Sequence, residues 1–220
     1  ECIKSNIRPD NTYRAGAAWD GVWTRDVSYS IYLALAYLDP QNAINSLRAK
    51  VKNGRIIQDT GTGGAWPVSS DRIVWAVAAW EIYKTTGDKQ WLAEAYDIIT
   101  ASLKDDMLVV WDSEHRLMHG EQSYLDWREQ TYPRWMQPKD IYESMCLGTN
   151  VVFARAFEIV EEMADELGVE EDSMFDGMDE TIKNSINKNL WLPEQGYYSG
   201  YLYGGIYPIQ SRATDALGQS

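Results

Sequence analysis

The chain is poor in cysteine, histidine, phenylalanine and positive charge. Among its 220 residues are two cysteines and two histidines, which allow at most one disulfide and leave few ligands for a zinc site. Lysine and arginine number 20 against 33 acidic residues, so the formal net charge is −13 and the basic surface that nucleic acid requires is absent. The apolar runs are interrupted too often to span a bilayer. We therefore expect no nucleic-acid partner and no membrane partner.

Aromatic residues are abundant, and nearly all of them carry a polar group. Ten tryptophans and fourteen tyrosines stand against three phenylalanines. A closed core favours Leu, Ile and Phe, whereas a surface that stacks on a ligand and hydrogen-bonds to it favours Trp and Tyr. The composition is thus a first indication of a ligand-binding surface.

Two kinds of helical pattern alternate along the chain. One kind is apolar around most of its circumference, which indicates a helix buried on several sides, and the other carries a single apolar stripe. Paired in this order, they cover residues 27–38 and 42–51, 73–83 and 89–107, and 141–167 and 174–190, and a further helix begins at Arg212. Long segments rich in Gly, Pro, Tyr and Trp separate the pairs, and within them residues 109–111 and 196–207 are candidates for short hairpins.

This repeat of long loop, buried helix, tight turn and amphipathic helix predicts the fold class. Repeated units of this kind bury their apolar faces only against their neighbours. The buried helices would then form an inner ring, and the one-faced helices would wrap around it. We predict an all-α fold of the α/α-toroid type.

Each predicted inner helix begins close to an acidic residue: Asp26, Asp71, Glu143 or Asp215. One interpretation is capping, because an acid at a helix start accepts hydrogen bonds from free amides. The other is a shared site, because the starts of the inner helices of a toroid converge on its axis. The flanking aromatic residues are Trp19, Trp23, Trp66, Tyr124, Trp127 and Trp135. Carboxylates that accept from hydroxyl groups, combined with indole faces that pack on sugar rings, predict a carbohydrate site.

The loop 119–135 holds the densest group of charges. Hydrolysis of a glycosidic bond needs one protonated carboxyl group and a second carboxylate that activates water or attacks the sugar. Asp126 lies between Leu125 and Trp127, and burial there would raise its pKa as a proton donor requires. Arg128 would oppose that shift if it paired with Asp126, and it would keep Glu129 ionised if it paired with that residue instead. Asp126 and Glu129 are the candidate catalytic residues.

Three segments in chain order resemble a known family. They are WDGVWTRD at 19–26, SSDRIVW at 69–75 and SYLDWRE at 123–129. Together they resemble the six-hairpin (α/α)6-barrel glycoside hydrolases, in particular the debranching-type amylo-glucosidases, the trehalases and the processing glucosidases. Residues 23–26 are similar to a W-G-R-D segment with Thr in place of Gly, and residues 71–75 match D-x-x-x-W. Residues 124–126 are similar to W-M-D with Tyr in place of Trp, and residues 121–126 to E-S-G-W-D with one extra residue.

The resemblance implies roles for individual residues. It makes Asp126 the general acid and assigns Arg25, Asp26 and Asp71 to the −1 subsite, where the terminal sugar binds. It also implies an inverting mechanism, without a cofactor, whose general base lies on a late hairpin absent from this chain. The predicted substrate-binding residues are Trp23, Arg25, Asp26, Trp66, Asp71, Glu121, Trp127, Arg128 and Glu143.

The helix count bears on the extent of the domain. Residues 1–220 supply three pairs and the start of a fourth, whereas the barrels that they resemble have six. We expect a single catalytic domain that comprises the first three to four hairpins of an (α/α)6 toroid and is truncated on its C-terminal side. Half a ring would expose apolar inner helices. We therefore expect the other half of the barrel, or a second copy of the chain, to cover them.

Three other interpretations compete with the hydrolase. The chain could be a carbohydrate-binding toroid without completed chemistry, or a polysaccharide lyase in which Arg25, Arg128 and Arg134 neutralise a uronate. His115 and His119 have a spacing that binds zinc on a helix, but the sequence on both sides of them breaks a continuous helix. We predict no metal site.

Overall fold

The computed structural model describes residues 2–58, 64–123, 132, 136–170, 172–203 and 207–209. A short helix, α1 (Cys2–Ser5), precedes three inner–outer helix pairs in this part of the chain. The first inner helix runs through α2 (Thr24–Ser30), a π-helical turn (Ile31–Leu35) and α3 (Ala36–Leu38), and its outer partner is α4 (Pro40–Arg48). The second pair is α5 (Val74–Thr86), preceded by a 3₁₀ turn (Ser70–Ile73), and α6 (Lys89–Val109). The third pair is α8 (Leu147–Leu167) and α9 (Met178–Asn189), with the short α7 (Pro138–Tyr142) before it.

The helices pack in two layers, as the sequence predicted. The inner helices α2, α5 and α8 contact one another in that order. Outer helix α4 packs on α2 and α5, α6 packs on α5 and α8, and α9 packs on α8. This staggered arrangement confirms the all-α class and the division into inner and outer helices. No helix in the described ranges is both long and apolar enough to cross a bilayer.

An aspartate directly precedes each of the first two outer helices, and its side chain caps the helix. This cap fixes the tight turn between the inner and the outer helix of the pair. Asp39 accepts a hydrogen bond from the amide of Asn42 at 3.4 Å, next to a proline in the first turn of α4. Asp88 accepts from the amides of Gln90 and Trp91 at 2.9 and 3.0 Å, directly after Gly87, which ends α5 with a φ of +67°. Glycine adopts this left-handed conformation without strain, so Gly87 can end the helix. Asp88 then caps the next helix, and Gly87-Asp88 forms the turn that the sequence predicted.

Tryptophan contributes to the core as well as to the surface. Trp75 of α5 and Trp91 of α6 are both buried, with ring centroids 5.7 Å apart. Their indole N–H groups donate to the backbone oxygens of Leu47 and Ala79, each at 3.0 Å. A buried indole with a satisfied N–H packs as well as any large apolar side chain. Part of the tryptophan excess therefore holds the helix layers together.

A short hairpin follows each of these outer helices. The hairpins are β1/β2 (Val51–Lys52 and Arg55–Ile56), β3/β4 (Trp111–Asp112 and Leu117–Met118) and β6/β7 (Trp191–Leu192 and Tyr197–Tyr198). The same backbone hydrogen bond closes each of them, from Ile57 to Lys50, from His119 to Val110 and from Ser199 to Leu190, at 2.8 to 2.9 Å. The repeating unit is thus an inner helix, an outer helix, a hairpin and a long loop.

The predicted helix over 141–167 is wrong in its first part. The chain forms strand β5 (Ser144–Cys146) there, and α8 begins only at Leu147. Strand β5 pairs antiparallel with β8 (Tyr201–Tyr203), which in turn pairs with β9 (Tyr207–Ile209). The apolar periodicity could not reveal this, because the strand partner lies more than fifty residues further along the chain. Buried Cys146 is accordingly a strand residue.

The first inner helix exposes an apolar face. Leu33 and Tyr37 are 76% and 80% exposed, and Tyr32 and Leu38 are about half exposed. Four large apolar side chains on one helix form a surface that soluble proteins normally cover. The rest of a ring, or a second copy of the chain, remains our prediction for what covers them.

Asn150 holds the junction between β5 and α8, and we predict that its loss destabilises the fold. It is fully buried, its Oδ1 accepts from the amide of Met118 at 2.7 Å, and its Nδ2 donates to the oxygens of Met118 and Cys146 at 3.0 and 2.9 Å. Asn150→Ala would leave these backbone groups unpaired, and it should lower the free energy of unfolding by about 2–4 kcal/mol in denaturant titration.

The matched control is Asn45→Ala. Asn45 lies near the surface and donates a single hydrogen bond, to the oxygen of Asn11 at 3.3 Å. Its loss should change the free energy of unfolding by no more than about 0.5 kcal/mol. Equal effects of the two substitutions would contradict the role given to Asn150.

Candidate active site

A buried ionic cluster joins three segments near the starts of the inner helices. Arg25 in the first turn of α2 donates from Nε to Asp71 Oδ2 at 2.6 Å and from Nη2 to Asp71 Oδ1 at 2.9 Å. The same Nη2 also lies 3.1 Å from Glu121 Oε1. Asp71 and Glu121 are fully buried, and Arg25 is 8% exposed. The structure thus brings three predicted site residues together, and we call them the Arg25 cluster.

Three uncharged residues complete the cluster. Ser69 Oγ accepts from Arg25 Nη2 at 3.1 Å and donates to Glu121 Oε1. Gln58 donates to Asp71 Oδ1 at 3.2 Å, and Ser123 donates to Asp71 Oδ2 at 2.6 Å. Sequence analysis missed all three as site residues. Ser69 and Ser123 lie within the motifs that carry the family resemblance, and their place in these motifs could have identified them as site residues.

Glu121 is positioned by its backbone. Its amide donates to the oxygen of Val68 at 2.9 Å, and the amide of Gly120 donates to the oxygen of Ser144 at 2.8 Å. Gly120 has a φ of +128°, and a Cβ there would lie 2.0 Å from Ser70 Oγ. Only glycine therefore lets the chain pass between the 3₁₀ turn and strand β5.

The hydrogen bonds of Asp71 limit what this carboxylate can do. A carboxylate has about four acceptor positions. Arg25 takes two, and Ser123 and Gln58 take one each. Asp71 therefore fixes the guanidinium of Arg25 within the protein. Its predicted contact with sugar remains a prediction.

Asp26 occupies a different face of α2 from Arg25. It is exposed and lines a cavity of about 310 Å³ together with Tyr13, Arg14 and Ser30. Unlike the buried carboxylates, Asp26 is thus at an open surface, where a ligand can reach it. Trp23, which precedes α2, is partly buried, and its ring centroid lies 6.0 Å from that of the exposed Trp19.

Two further predicted residues have partners outside the Arg25 cluster. Trp66 donates from its indole nitrogen to Asp106 Oδ1 at 2.8 Å, and the guanidinium of Arg72 lies 4.3 Å from its ring centroid. Glu143 follows α7 and forms a surface ion pair with Lys139 at 3.2 Å. Their predicted roles in substrate binding are untested.

The central catalytic candidates lie outside the described residues. Asp126, Trp127, Arg128 and Glu129 belong to this group, as do Tyr124, Trp135 and Asp215. The described ends of the loop that carries Asp126 are anchored close to the Arg25 cluster. On one side the amide of Ser123 donates to Thr149 Oγ1 at 3.0 Å, and on the other Tyr132 accepts from the amide of Gln122 at 2.6 Å.

The two histidines share one carboxylate. His115 Nδ1 lies 3.0 Å from Asp112 Oδ1, and His119 Nε2 lies 3.5 Å from Asp112 Oδ2. Burial raises the pKa of Asp112, but the hydrogen bonds from the backbone and ring of His115 outweigh it and hold that pKa below its usual value. Within the described ranges, no three His, Cys, Asp or Glu side chains form a group that could hold a metal ion.

Two layers of paired helices, with an arginine and two acids buried near the starts of the inner helices, are consistent with part of a six-hairpin glycosidase. The comparison with protein families agrees. Residues 55–216 match the bacterial alpha-L-rhamnosidase 6 hairpin glycosidase domain, and since this is well over half of the chain, the chain belongs to that family. No curated protein matches the chain.

The family match bears on the predicted resemblance in two ways. It confirms the six-hairpin glycosidase class, and hence a domain of the glycoside hydrolase type. It does not confirm the particular likeness to amylo-glucosidases, trehalases and processing glucosidases. The matched range includes Asp71, Glu121 and Asp126, whereas Arg25 lies before it.

Removal of the Arg25 charge should destabilise the protein. Arg25→Met would take from the fully buried carboxylate of Asp71 the charge with which it pairs, at a cost of about 3–5 kcal/mol in the free energy of unfolding at pH 7.5. Denaturant titration measures this loss.

Arg48→Met serves as the control. Arg48 pairs with Glu94 at 2.5 Å, but both side chains are substantially exposed. Its loss should therefore change stability by about 0–1 kcal/mol. Equal losses for Arg25→Met and Arg48→Met would argue against the uncompensated charge as the cause.

Proposed function

We propose that this protein hydrolyses the glycosidic bond of a terminal sugar in an oligosaccharide or glycoside, and that α-L-rhamnosides are the substrates to test first. The observation that carries the proposal is the Arg25 cluster, at the starts of the inner helices in a chain of a six-hairpin glycosidase family. The choice of sugar rests on the description of that family.

The chemistry needs a proton donor and a base. Asp126 is the proposed general acid, because it ends the Tyr124-Leu125-Asp126 segment that is similar to the W-M-D segment of the resembled family. An inverting enzyme separates its two carboxyl groups by about 6.5–9.5 Å so that water fits between sugar and base. We assign the base to a hairpin beyond this chain and give Glu129, the second candidate here, a supporting charge beside Asp126.

The predicted substrate-binding residues divide into two groups by burial. Asp26 lines an open cavity and offers a carboxylate to sugar hydroxyl groups, and Trp23 and Trp127 supply indole faces. Asp71 is fully buried and keeps the guanidinium of Arg25 in one orientation. In this proposal the buried acids hold the −1 subsite rigid, and the exposed acid contacts the sugar.

The pairing of Arg25 in the cluster favours a hydrolase over a lyase. A lyase acts on uronates and needs positive charge that is available to the substrate carboxylate. Arg25 is already paired with both Asp71 and Glu121. A neutral sugar therefore suits this cluster better than a uronate does.

An NMR time course with the full-length protein tests the proposal directly. A 4-nitrophenyl α-L-rhamnoside and a panel of α-linked disaccharides are the substrates, and the anomeric signal of the first product reports the stereochemistry. Release of the inverted sugar is the expected result. Binding of sugar without hydrolysis of any substrate would instead support the carbohydrate-binding toroid, which is the second candidate.

The assignment of Asp126 has its own diagnostic. Asp126→Asn should lower kcat about a hundred- to ten-thousand-fold on a disaccharide, because the departing sugar needs a proton from the general acid. The loss should be much smaller on an activated 2,4-dinitrophenyl glycoside, whose leaving group needs no proton. For the matched variant Glu129→Gln, the loss should not depend on the leaving group. An equal loss of Asp126→Asn on both substrates would refute the general-acid role.

A further inference from the structure

A second buried charge pair lies at the C-terminal end of outer helix α6. Asp106 is fully buried, and its Oδ1 accepts two hydrogen bonds, from Arg72 Nε at 3.1 Å and from Trp66 Nε1 at 2.8 Å. Arg72 Nη2 also lies 2.9 Å from this oxygen and completes the ion pair. The guanidinium of Arg72 also stacks on the ring of Trp66. Nothing in the described part of the chain donates to the other oxygen, Oδ2. We call Asp106, Arg72 and Trp66 the Asp106 unit.

Arg72 connects this unit to the hairpin before it. Its Nη1 donates to the oxygen of Ile56 at 2.8 Å, and its Nη2 donates to the oxygen of Ser102 at 3.1 Å. Ser102 in turn accepts from the amide of Ile56 at 3.0 Å. Arg72 thus links strand β2 to helix α6.

The Asp106 unit touches the same segments that carry the Arg25 cluster. Two members of the unit lie within three positions of a cluster member in sequence, Trp66 of Ser69 and Arg72 of Asp71. Ile56, which accepts from Arg72, lies two positions before Gln58 of the cluster. Asp71 and Arg72 are consecutive in the 3₁₀ turn before α5. Asp71 pairs with Arg25 of the inner helix α2, and Arg72 pairs with Asp106 of the outer helix α6. The orientation of that turn therefore depends on both charge pairs.

The charge of Asp106 is not explained by stability. Burial raises its pKa to about 6, and the charge of Arg72 and the hydrogen bonds from Arg72 and Trp66 offset this only in part. Asp105, the next acid on α6, raises the pKa further and is itself paired with Arg55 of β2 at 2.9 Å. A buried ion pair of this kind often stabilises a fold no better than uncharged residues would, so its value can lie in the geometry that it enforces.

We propose that Asp106 is a positioning residue of the sugar site, which fixes the 3₁₀ turn through Arg72 and Trp66 and thereby orients Asp71 and the guanidinium of Arg25. It acts from the outer helix layer and touches no substrate. The link to sugar rests on the proposed function, whereas the link to Arg25 stands on the contacts alone.

The first test needs no substrate. The Nε–H of Arg25, which donates to Asp71, gives a resonance in a ¹H–¹⁵N spectrum that Arg25→Lys identifies by its loss. Asp106→Asn, which keeps the size of the side chain and removes its charge, should shift this resonance. Asp105→Asn is the matched control on the same helix, and it should leave the resonance in place because Asp105 pairs with Arg55 near the surface.

Thermal melting tests whether Asp106→Asn acts on the position of Arg25 or only on the stability of the fold. Because the pKa of Asp106 in the folded protein lies above its ordinary value of 3.8, its burial penalty is present above about pH 6 and disappears as the pH falls toward 3.8. The Tm of Asp106→Asn relative to the parent protein should therefore be higher at pH 7.5 than at pH 5. Because Asp106→Asn leaves the buried guanidinium of Arg72 without its counter-charge, the spectrum is recorded well below the Tm of the variant. An Arg25 resonance that shifts under these conditions supports the proposal.

The kinetic test uses the 4-nitrophenyl α-L-rhamnoside. Asp106→Asn should raise KM about tenfold or more, as misplacement of a binding group does, whereas partial unfolding would lower the apparent kcat and leave KM unchanged. If the parent protein hydrolyses no glycoside, the proposed function fails while the resonance still decides the positioning role. Should Asp106→Asn not fold, Trp66→Phe removes only the indole donor to Asp106 and should move the same resonance. An unmoved resonance with an unchanged KM would overturn the proposal.

Discussion

The forked hydrogen bond between Arg25 and Asp71 is the contact on which the rest of the site depends. It joins the first inner helix to the turn before the second, and through Glu121 it also joins the loop that follows β4. A charge buried this deeply has to be paired, so none of these three segments can move away alone. One guanidinium thus joins two helix starts and one loop into a single rigid unit, which is the support that a binding site for a small polar ligand requires.

Asp71 and Arg72 show how the two layers communicate. They are neighbours of opposite charge in a 3₁₀ turn, where successive side chains diverge by about a third of a circle. One reaches the inner helix α2 and the other reaches the outer helix α6. A turn held from both sides has little freedom to rotate. In our proposal the outer layer thereby contributes to the site through Arg72.

Much of the fold was predictable because it depends on local periodicity and on turns. The apolar pattern over 73–83 lies within α5 except for Ile73, the last residue of the 3₁₀ turn, and the pattern over 89–107 lies within α6. Gly87-Asp88 is the turn between the two helices. Strand β5 was not predictable, since its partner is remote in sequence. In the site, motifs pointed to Arg25, Asp71 and Glu121, whereas Gln58 has no pattern around it. The sequence could not show that the indole N–H of Trp66 donates to Asp106, and the predicted contact of Trp66 with sugar stays a prediction.

The hairpin after each outer helix has a consequence for how such a domain can change. The same backbone hydrogen bond closes the base of the loops that begin at Ile57, His119 and Ser199, so each loop starts from a fixed anchor. The entropy of closing a loop grows only slowly with its length. Residues can therefore be added to or removed from one loop with little penalty for the helices below. The scaffold tolerates new loop sequences one at a time, and changes of specificity need no change of architecture.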